Sequence, residues 1–438
     1  MTLNLTTHLY NPKMKKINIW IVFILIGIIM QIYVMSIGRH EQSYLINPLL
    51  WFCGGILSSC VAIFYSCQSV QGKSKQDRAF IFFEALFIGV SLLMLAYLTS
   101  LFYQNPIDPT KSDVIPTLQT MAQRIMNLEY PYYKVHYPGW SFEPGYLPMQ
   151  YLPFIKAEIL KIDYRTMSYL YFVFVTYLFC YNLERYQNSL EWIWNLVLIL
   201  IPFFFIKLIY LYDASVFIYS VELLDVAFYM FLAYSLFSGS VHLKAFAIVC
   251  CLLSRYGIVL WLPAYAFIYF KEEGLQKTMK LSGVVIGLLM VLYVIPFLTK
   301  DPLLFFKGLK NYDQMALSQW SDVPTWYAHI GKPYILSQGL GFAIYFLEFW
   351  DGEIIDKIKA IKLVHIMASV FVTVLTISVY HFRRQKIKDV NLFLLGSLGL
   401  YLTVFYNFVF APFSYLFLVP FFVLMTILYK IPIYQYEK

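Results

Sequence analysis

Two ionisable side chains in this 438-residue sequence are well suited to chemistry, one in a long loop and one inside an apolar stretch. Asp113 opens a predicted helix in the loop, and a carboxylate held at a membrane surface can remove the proton of a hydroxyl group. Arg255 always stays charged, and its guanidinium can hold phosphate through two parallel hydrogen bonds. A base and a phosphate-binding cation together favour transfer of a group from phosphate, with Tyr256 as a further phosphate contact.

Asp113 also has a structural interpretation. Ser112 and Pro116 flank it at the start of a predicted amphipathic helix, so its carboxylate is well placed to be an N-cap that accepts backbone N–H bonds. The two roles are compatible, because a cap would also fix the position of the carboxylate. Asp108, earlier in the same loop, is the competing acid.

Arg255 lies between two short apolar segments, 244–254 and 257–270. Helices broken at membrane depth are tolerated where they line a cavity that supplies polar partners, so a cavity is expected here. Glu222 and Asp225 are spaced to share one helix face. They either line this cavity and bind substrate or form salt bridges with Arg255, and the spacing leaves both interpretations open.

The end of the same loop, residues 130–153, is dense in aromatic residues and turn formers. Aromatic and polar side chains on a rigid loop can stack on sugar rings and hydrogen-bond their hydroxyl groups. An interfacial belt is the simpler interpretation for any single tyrosine. His136 and Glu143 fit a belt less well, and we expect both to bind substrate together with Tyr146.

The composition explains where these residues must lie. Apolar residues make up 60% of the chain and charged residues only 13%, whereas soluble domains carry about 25% charge. The formal charge of +8 is scattered at the ends of apolar segments rather than gathered on one face, which favours anionic lipid over nucleic acid as a partner. The chain is therefore expected to be an integral membrane protein.

Apolar runs separated by Lys and Arg predict an all-α, polytopic fold with about twelve transmembrane helices. These spans are expected near 17–36, 45–67, 79–102, 165–183, 192–211, 216–238, 244–254, 257–270, 281–298, 362–382, 390–408 and 412–429. Residues 335–350 are apolar too, and they are more easily explained by a helix lying in the interface than by a span.

Basic clusters set the expected orientation. With twelve spans, the clusters around Lys13, Lys73, Lys271 and Arg383 all fall on one face, which the positive-inside rule assigns to the cytoplasm together with both termini. A bacterial inner membrane is the expected location. Segments 103–164 and 299–361 then become long extracytoplasmic loops, and amphipathic helices are expected in them.

Three regions follow from this layout. Residues 1–78 are expected to form an N-terminal transmembrane hairpin and residues 79–298 a catalytic transmembrane module that includes the outer loop 103–164. Residues 299–438 then hold the second outer loop and the C-terminal transmembrane helices.

Several of these features resemble the GT-C superfamily of membrane glycosyltransferases. The resemblance rests on Ser-Asp-Val at 112–114, on Tyr-Pro-Tyr from 130, on Tyr-Leu-Pro from 146 and on the segment 253–263, which is similar to the mannosyltransferase-like branch. It covers about residues 85 to 300. The family usually places its catalytic loop after the first span, and the two spans that precede it here are interpreted as an added hairpin.

The resemblance implies an inverting transfer of a hexose from a polyprenyl-phosphate donor to a glycan or lipid acceptor, and its mannosyltransferase-like segment names mannose as the candidate hexose. Asp113 would be the base and Arg255 the donor-phosphate contact. No P-loop or dinucleotide fingerprint is present in the sequence, and neither a cofactor nor a metal is expected. An O-antigen polymerase or ligase and a secondary transporter remain the alternatives.

Overall fold

The computed structural model describes residues 16–38, 44–68, 80–137, 140–181, 183, 189–325, 331–432 and 434–435. Lys13 and the basic cluster that begins at Lys73 lie outside the described residues, so the orientation argument there has no structural counterpart.

The described chain is mostly helical. Its first helices are α1 (Ile19–Met35), α2 (Asn47–Tyr65), α3 (Phe80–Gln104), α4 (Val114–Met126), α5 (Pro148–Tyr151), α6 (Ile155–Leu160), α7 (Tyr164–Tyr181), α8 (Ser189–Tyr212) and α9 (Ser215–Ile218). They are followed by α10 (Glu222–Leu236), α11 (Val241–Ser254), α12 (Leu262–Leu289), α13 (Leu304–Ser321), α14 (Ala343–Phe349), α15 (Ile354–Arg383), α16 (Val390–Asn407) and α17 (Leu418–Met425).

Four short strands complete the described elements. They are β1 (Lys16–Ile17), β2 (Val135–Tyr137), β3 (Trp140–Phe142) and β4 (Tyr434–Gln435), and they form the antiparallel pairs β1–β4 and β2–β3. The all-α expectation therefore describes the architecture well, although it missed the small β2–β3 hairpin in the outer loop.

Six of the described helices are long and apolar enough to cross a membrane. They are Asn47–Tyr65, Phe82–Gln104, Glu191–Tyr212, Leu262–Leu298, Ile354–Arg383 and Val390–Asn407. Three apolar helices are shorter, namely Ile19–Met35, Val241–Ser254 and Ser414–Tyr429. These helices support a multi-span membrane protein, and the full count of twelve spans stays a prediction.

Residues 335–350 do not form a membrane-length helix. Only α14, with 7 residues, is helical there, and a helix rises 1.5 Å per residue against about 30 Å of hydrocarbon. Ile335, Leu336 and Ile344 are buried against α13 and α15. The segment is thus a folded part of the chain between α13 and α15.

Several chain segments meet at the end of the molecule that carries the basic residues. β1 pairs with β4, and the backbone N–H groups of Lys388 and Asp389 both donate to the carbonyl of Ser66. Arg384 donates to the carbonyl of Lys271 over 3.0 Å. The basic cluster 383–388 therefore lies beside Lys271, as the sequence predicts, and its placement in the cytoplasm stays a prediction.

The N-terminal helices pack closely on each other and on α16. A Cβ atom on Gly27 would lie 2.5 Å from the carbonyl oxygen of Gly54, and one on Gly55 would lie 2.5 Å from Oγ1 of Thr403. Small residues at such contacts let helix backbones approach, which is how helices associate in lipid. The N-terminal hairpin therefore shares its packing surface with the C-terminal helices.

The helix break predicted at 254–257 is present. α11 ends at Ser254, Arg255 is extended with φ −133° and ψ 110°, and a 3₁₀ turn at Tyr256–Ile258 precedes α12. α12 joins two helices across a kink, the first in the predicted segment 257–270 and the second continuing as a π-helix to Leu298. Its direction changes at Gly274, where φ is +82°, a value that glycine adopts without strain.

Candidate functional site

Asp113 lies at the N-terminus of α4, as the sequence predicts, but its side chain makes no capping hydrogen bond within the described chain. Its backbone dihedrals, φ −88° and ψ −14°, are helical, whereas an N-cap residue is usually extended. The interpretation of Asp113 as a side-chain cap was therefore wrong. The half-buried carboxylate is left available, and burial raises its pKa above the ordinary value.

Two interactions hold the start of α4 in place. Oγ of Ser112 donates to the carbonyl of Tyr219 over 3.1 Å, which ties the loop to the segment before α10. Ile115 and Leu118 are buried in the same cluster as Leu224 of α10 and Leu253 of α11. The amphipathic helix therefore belongs to the same hydrophobic cluster as the helices next to Glu222 and Arg255.

Arg165 connects the outer ends of three segments, a role that its sequence position did not suggest. Its guanidinium donates to the carbonyls of Asn105 at 2.8 Å, Ile218 at 3.2 Å and Phe102 at 3.3 Å. It also pairs with Asp163 at 2.6 Å. This buried arginine fixes the two ends of the segment between α3 and α7.

Asp108, the competing acid, has a local structural role. Its Oδ1 accepts from the backbone N–H of Thr110 at 2.9 Å and from the Thr110 hydroxyl at 2.7 Å. These hydrogen bonds lower its pKa. Asp108 is therefore a weaker base than Asp113, so the structure favours Asp113.

The β2–β3 hairpin places Tyr137 beside Asp113. The Tyr137 hydroxyl lies 2.8 Å from Oγ1 of Thr117, one turn along α4, and the Asp113 charge adds to the burial that raises the Tyr137 pKa. Side chains alternate along a strand, so His136 faces away from Tyr137 and is exposed. Strand alternation in the sequence is the signal that would have chosen Tyr137 instead of His136.

Arg255 forms salt bridges with both carboxylates that the sequence singled out. Nη2 lies 2.5 Å from Oε2 of Glu222, and Nε lies 3.1 Å from Oδ2 of Asp225. The carboxylate side chains are only 2% and 3% exposed, whereas that of Arg255 is 28% exposed. We call these three residues the Arg255 cluster. The prediction that Arg255 forms salt bridges with these carboxylates is therefore confirmed.

The pairing leaves part of the cluster open. Nη1 of Arg255 makes no hydrogen bond to any described residue. Among the described residues, Oε1 of Glu222 and Oδ1 of Asp225 have no partner either, although both are buried. The cluster thus offers one guanidinium edge to a ligand, held in place by two carboxylates.

Tyr146 connects the acid and the arginine. The charges of Asp113 and Arg255 both act on its hydroxyl, and burial, aided by Asp113, raises its pKa well above the ordinary value. The guanidinium of Arg255 also lies 5.9 Å from the ring centre of Tyr415, on which the Asp113 charge acts as well. Asp113 and Arg255 therefore lie at the same end of the molecule with shared neighbours.

α13 packs against the segment between α4 and α5. A Cβ atom added to Gly145 would lie 2.9 Å from Cα of Gly308, so the two backbones are in close contact. Nδ2 of Asn311 donates to the carbonyl of Glu143 over 2.9 Å. The side chain of Glu143 is exposed, so only its backbone takes part in this contact. α13 therefore fixes the loop that carries Tyr146.

Tyr256, predicted as a further phosphate contact, packs against α13. Its ring lies edge-on to Phe305 with centres 5.5 Å apart. Within the described residues, no group of three or more His, Cys, Asp and Glu side chains is placed to hold a metal ion.

No family model, curated protein or solved structure matches this chain. The class that the fold itself defines is a helical membrane protein with several apolar helices of membrane length.

Proposed function

We propose that this chain is a membrane glycosyltransferase that moves a hexose from a polyprenyl-phosphate donor to an acceptor hydroxyl group. The observation that carries the proposal is the arrangement of Asp113 and Arg255 around Tyr146. An uncapped carboxylate with a raised pKa suits a general base, and a guanidinium with an open edge suits a phosphate.

In this reaction Asp113 accepts the proton of the acceptor hydroxyl as its oxygen attacks the anomeric carbon. The bond from that carbon to the phosphate oxygen breaks, and polyprenyl phosphate leaves with both bonding electrons. Nη1 of Arg255 stabilises the negative charge on the leaving oxygen. Attack opposite the leaving group inverts the anomeric centre.

The two carboxylates of the Arg255 cluster reduce the positive charge that this binding site offers to a phosphate. One cation faces two carboxylates, so a phosphate gains less from Arg255 than it would from an unpaired arginine. The salt bridges in return hold the guanidinium in one orientation before the donor arrives, which lowers the cost of ordering it. The Tyr146 hydroxyl stays protonated because its pKa is raised, and it supplies a neutral donor beside the phosphate.

The secondary transporter is the second candidate because of one observation. Buried ionisable residues such as Glu222 and Asp225, each with one carboxylate oxygen that has no partner among the described residues, are typical of proton or cation pathways across membranes. The O-antigen polymerase or ligase alternative relies on the second outer loop. This loop contains α13, which contacts the candidate site.

A transfer assay separates these candidates. Purified chain in nanodiscs is incubated with a radiolabelled polyprenyl-phosphate hexose and a range of glycan and lipid acceptors. We expect labelled acceptor product to form. Ligand uptake into sealed proteoliposomes without transfer would support the transporter instead. Chain elongation from a lipid-diphosphate oligosaccharide, without use of the monophosphate donor, would support the polymerase.

A further inference from the structure

A groove lies between α12 and α15 at the end of the molecule that carries the basic residues. Its volume is about 430 Å³, and its lining includes Phe267, Lys271, Tyr380, His381, Phe382 and Arg384. Both helices are among those long and apolar enough to cross a membrane. We call this space the α12–α15 groove, and the proposed transfer chemistry makes no use of it.

Two cations of different kinds face the groove. Arg384 is held in place, because Nη2 donates to the carbonyl of Lys271 and Nε lies 3.3 Å from Oε1 of Glu272. Tyr380 hydrogen-bonds the same carboxylate. Lys271 is exposed, and its ammonium group forms no ion pair with any described residue. The groove therefore presents a fixed guanidinium beside a free ammonium group, which are the side chains that bind phosphate.

The apolar surroundings of these cations are those of a lipid site. Phe382 is 82% exposed next to Arg384. Phe371 and Leu375 of α15 are also exposed, and their spacing of four and seven residues from each other and from Phe382 forms one stripe on the helix. The stripe lies within about 20 Å of Arg384 along the helix axis, which is the depth of one leaflet with its headgroups. An apolar stripe on a membrane-length helix ending at basic side chains matches a phospholipid, with acyl chains beside a negatively charged headgroup.

We propose that the α12–α15 groove binds the headgroup phosphate of an anionic phospholipid, whose acyl chains lie along the exposed stripe of α15. Lys271 and Arg384 contact the phosphate, and Phe382 contacts the glycerol backbone and upper acyl chain. A free phosphate would use the cations but not the stripe. The site lies where α12 and α15 end, and it is independent of sugar transfer.

The test is native mass spectrometry of the purified chain in detergent, with phosphatidylglycerol and phosphatidylcholine added at equal concentrations. We expect preferential retention of phosphatidylglycerol. One basic side chain beside an anionic headgroup raises the affinity for the lipid about fivefold. Lys271→Gln should therefore lower phosphatidylglycerol retention about fivefold while leaving the two contacts of Arg384 intact. Lys277→Gln is the matched control, because Lys277 lies on the same helix but pairs with Glu273 outside the groove.

Three results would overturn the proposal. These are equal retention of both lipids by the unmodified chain, unchanged phosphatidylglycerol retention in Lys271→Gln, or the same loss in Lys277→Gln. Millimolar glycerol 3-phosphate is added in a further arm. Displacement of the lipid by this soluble phosphate would show a site for phosphate alone, whereas retention supports the lipid. Phe382→Ser should weaken lipid retention without affecting the folded state, because its side chain is exposed.

Discussion

Nη2 of Arg255 donates to Oε2 of Glu222 over 2.5 Å, across the contact between α11 and α10. Because the Glu222 side chain is 2% exposed, its carboxylate depends on the guanidinium for compensation. The same guanidinium is the group that we propose to bind the donor phosphate. Structural and functional effects of Arg255 must therefore be separated by experiment.

Replacement of Arg255 alone should destabilise the protein. Arg255→Met leaves two buried carboxylates without a cation, which costs about 3–5 kcal/mol. Thermal unfolding in detergent measures this loss. The triple variant with Glu222→Gln and Asp225→Asn added should recover most of the stability and still fail to bind donor. Donor affinity equal to that of the unmodified chain in the triple variant would remove the phosphate role of Arg255.

Asp113→Asn should abolish transfer while the protein stays folded. General base catalysis contributes about 10²- to 10⁴-fold, so the rate should fall by that factor. The side chain makes no capping bond, so the free energy of unfolding should change by less than about 0.5 kcal/mol. Asp108→Asn serves as the control and should keep most of the activity. A large loss of rate in Asp108→Asn with a normal rate in Asp113→Asn would reverse the assignment.

The pH dependence of transfer should reflect the buried Asp113. Burial raises its pKa, so the rate should fall, as pH is lowered, at a higher pH than the value of about 3.9 for an ordinary aspartate. The raised pKa has the opposite effect on stability. The contribution of Asp113 to the free energy of unfolding is fully present below the pKa that Asp113 has in the unfolded chain. It is lost as pH rises through the pKa that Asp113 has in the folded protein. The unfolding free energy of Asp113→Asn should lack this dependence, and identical pH profiles for both proteins would count against a raised pKa.

The Tyr146 hydroxyl should contribute to transfer but not to folding. Tyr146→Phe keeps the ring and removes the group on which both Asp113 and Arg255 act. We expect the rate to fall about tenfold, which corresponds to the loss of one hydrogen bond of about 1.4 kcal/mol in the transition state. Tyr133→Phe, on an exposed side chain of the same loop, is the control and should leave the rate unchanged. Equal rates for the two variants would place the substrate away from Tyr146.

Arg165 should act on activity through the position of the outer loop. Arg165→Lys keeps the charge, but one ammonium group cannot replace both Nη1, which donates to Asn105 and Ile218, and Nη2, which donates to Phe102. Loss of two charge-assisted bonds costs at least about 3 kcal/mol. Limited proteolysis should then cut the loop between α3 and α7 sooner, and Arg383→Lys at an exposed position should not change the cleavage pattern. Unaltered cleavage in Arg165→Lys would show that other contacts hold the loop.

Hydropathy and helix-start signals predicted much of this architecture. The start of α4 was placed at Ser112 and Asp113, and the break at Arg255 was expected from two short apolar runs, because both signals are local in sequence. The polar stretch 271–280 separated two predicted spans, but the sequence did not show that a kink at Gly274 joins their helices directly, without an intervening loop.

The contacts between distant segments were harder to predict. The i,i+3 spacing put Glu222 and Asp225 on one face, but only the packing of α10 on α11 decides that both reach Arg255. Arg165 donates to backbone carbonyls. Every residue has a backbone carbonyl, so the sequence does not show which ones accept these hydrogen bonds. The missing cap at Asp113 depends on backbone dihedrals that the motif does not specify.

A cryo-electron microscopy structure of the chain in nanodiscs with a bound polyprenyl-phosphate hexose tests the central claim most directly. We expect the donor phosphate within hydrogen-bonding distance of Nη1 of Arg255, with the anomeric carbon of the sugar turned towards Asp113 beside Tyr146. A donor bound at the opposite end of α11 and α12, or packed helices between its phosphate and the Asp113 carboxylate, would contradict the account.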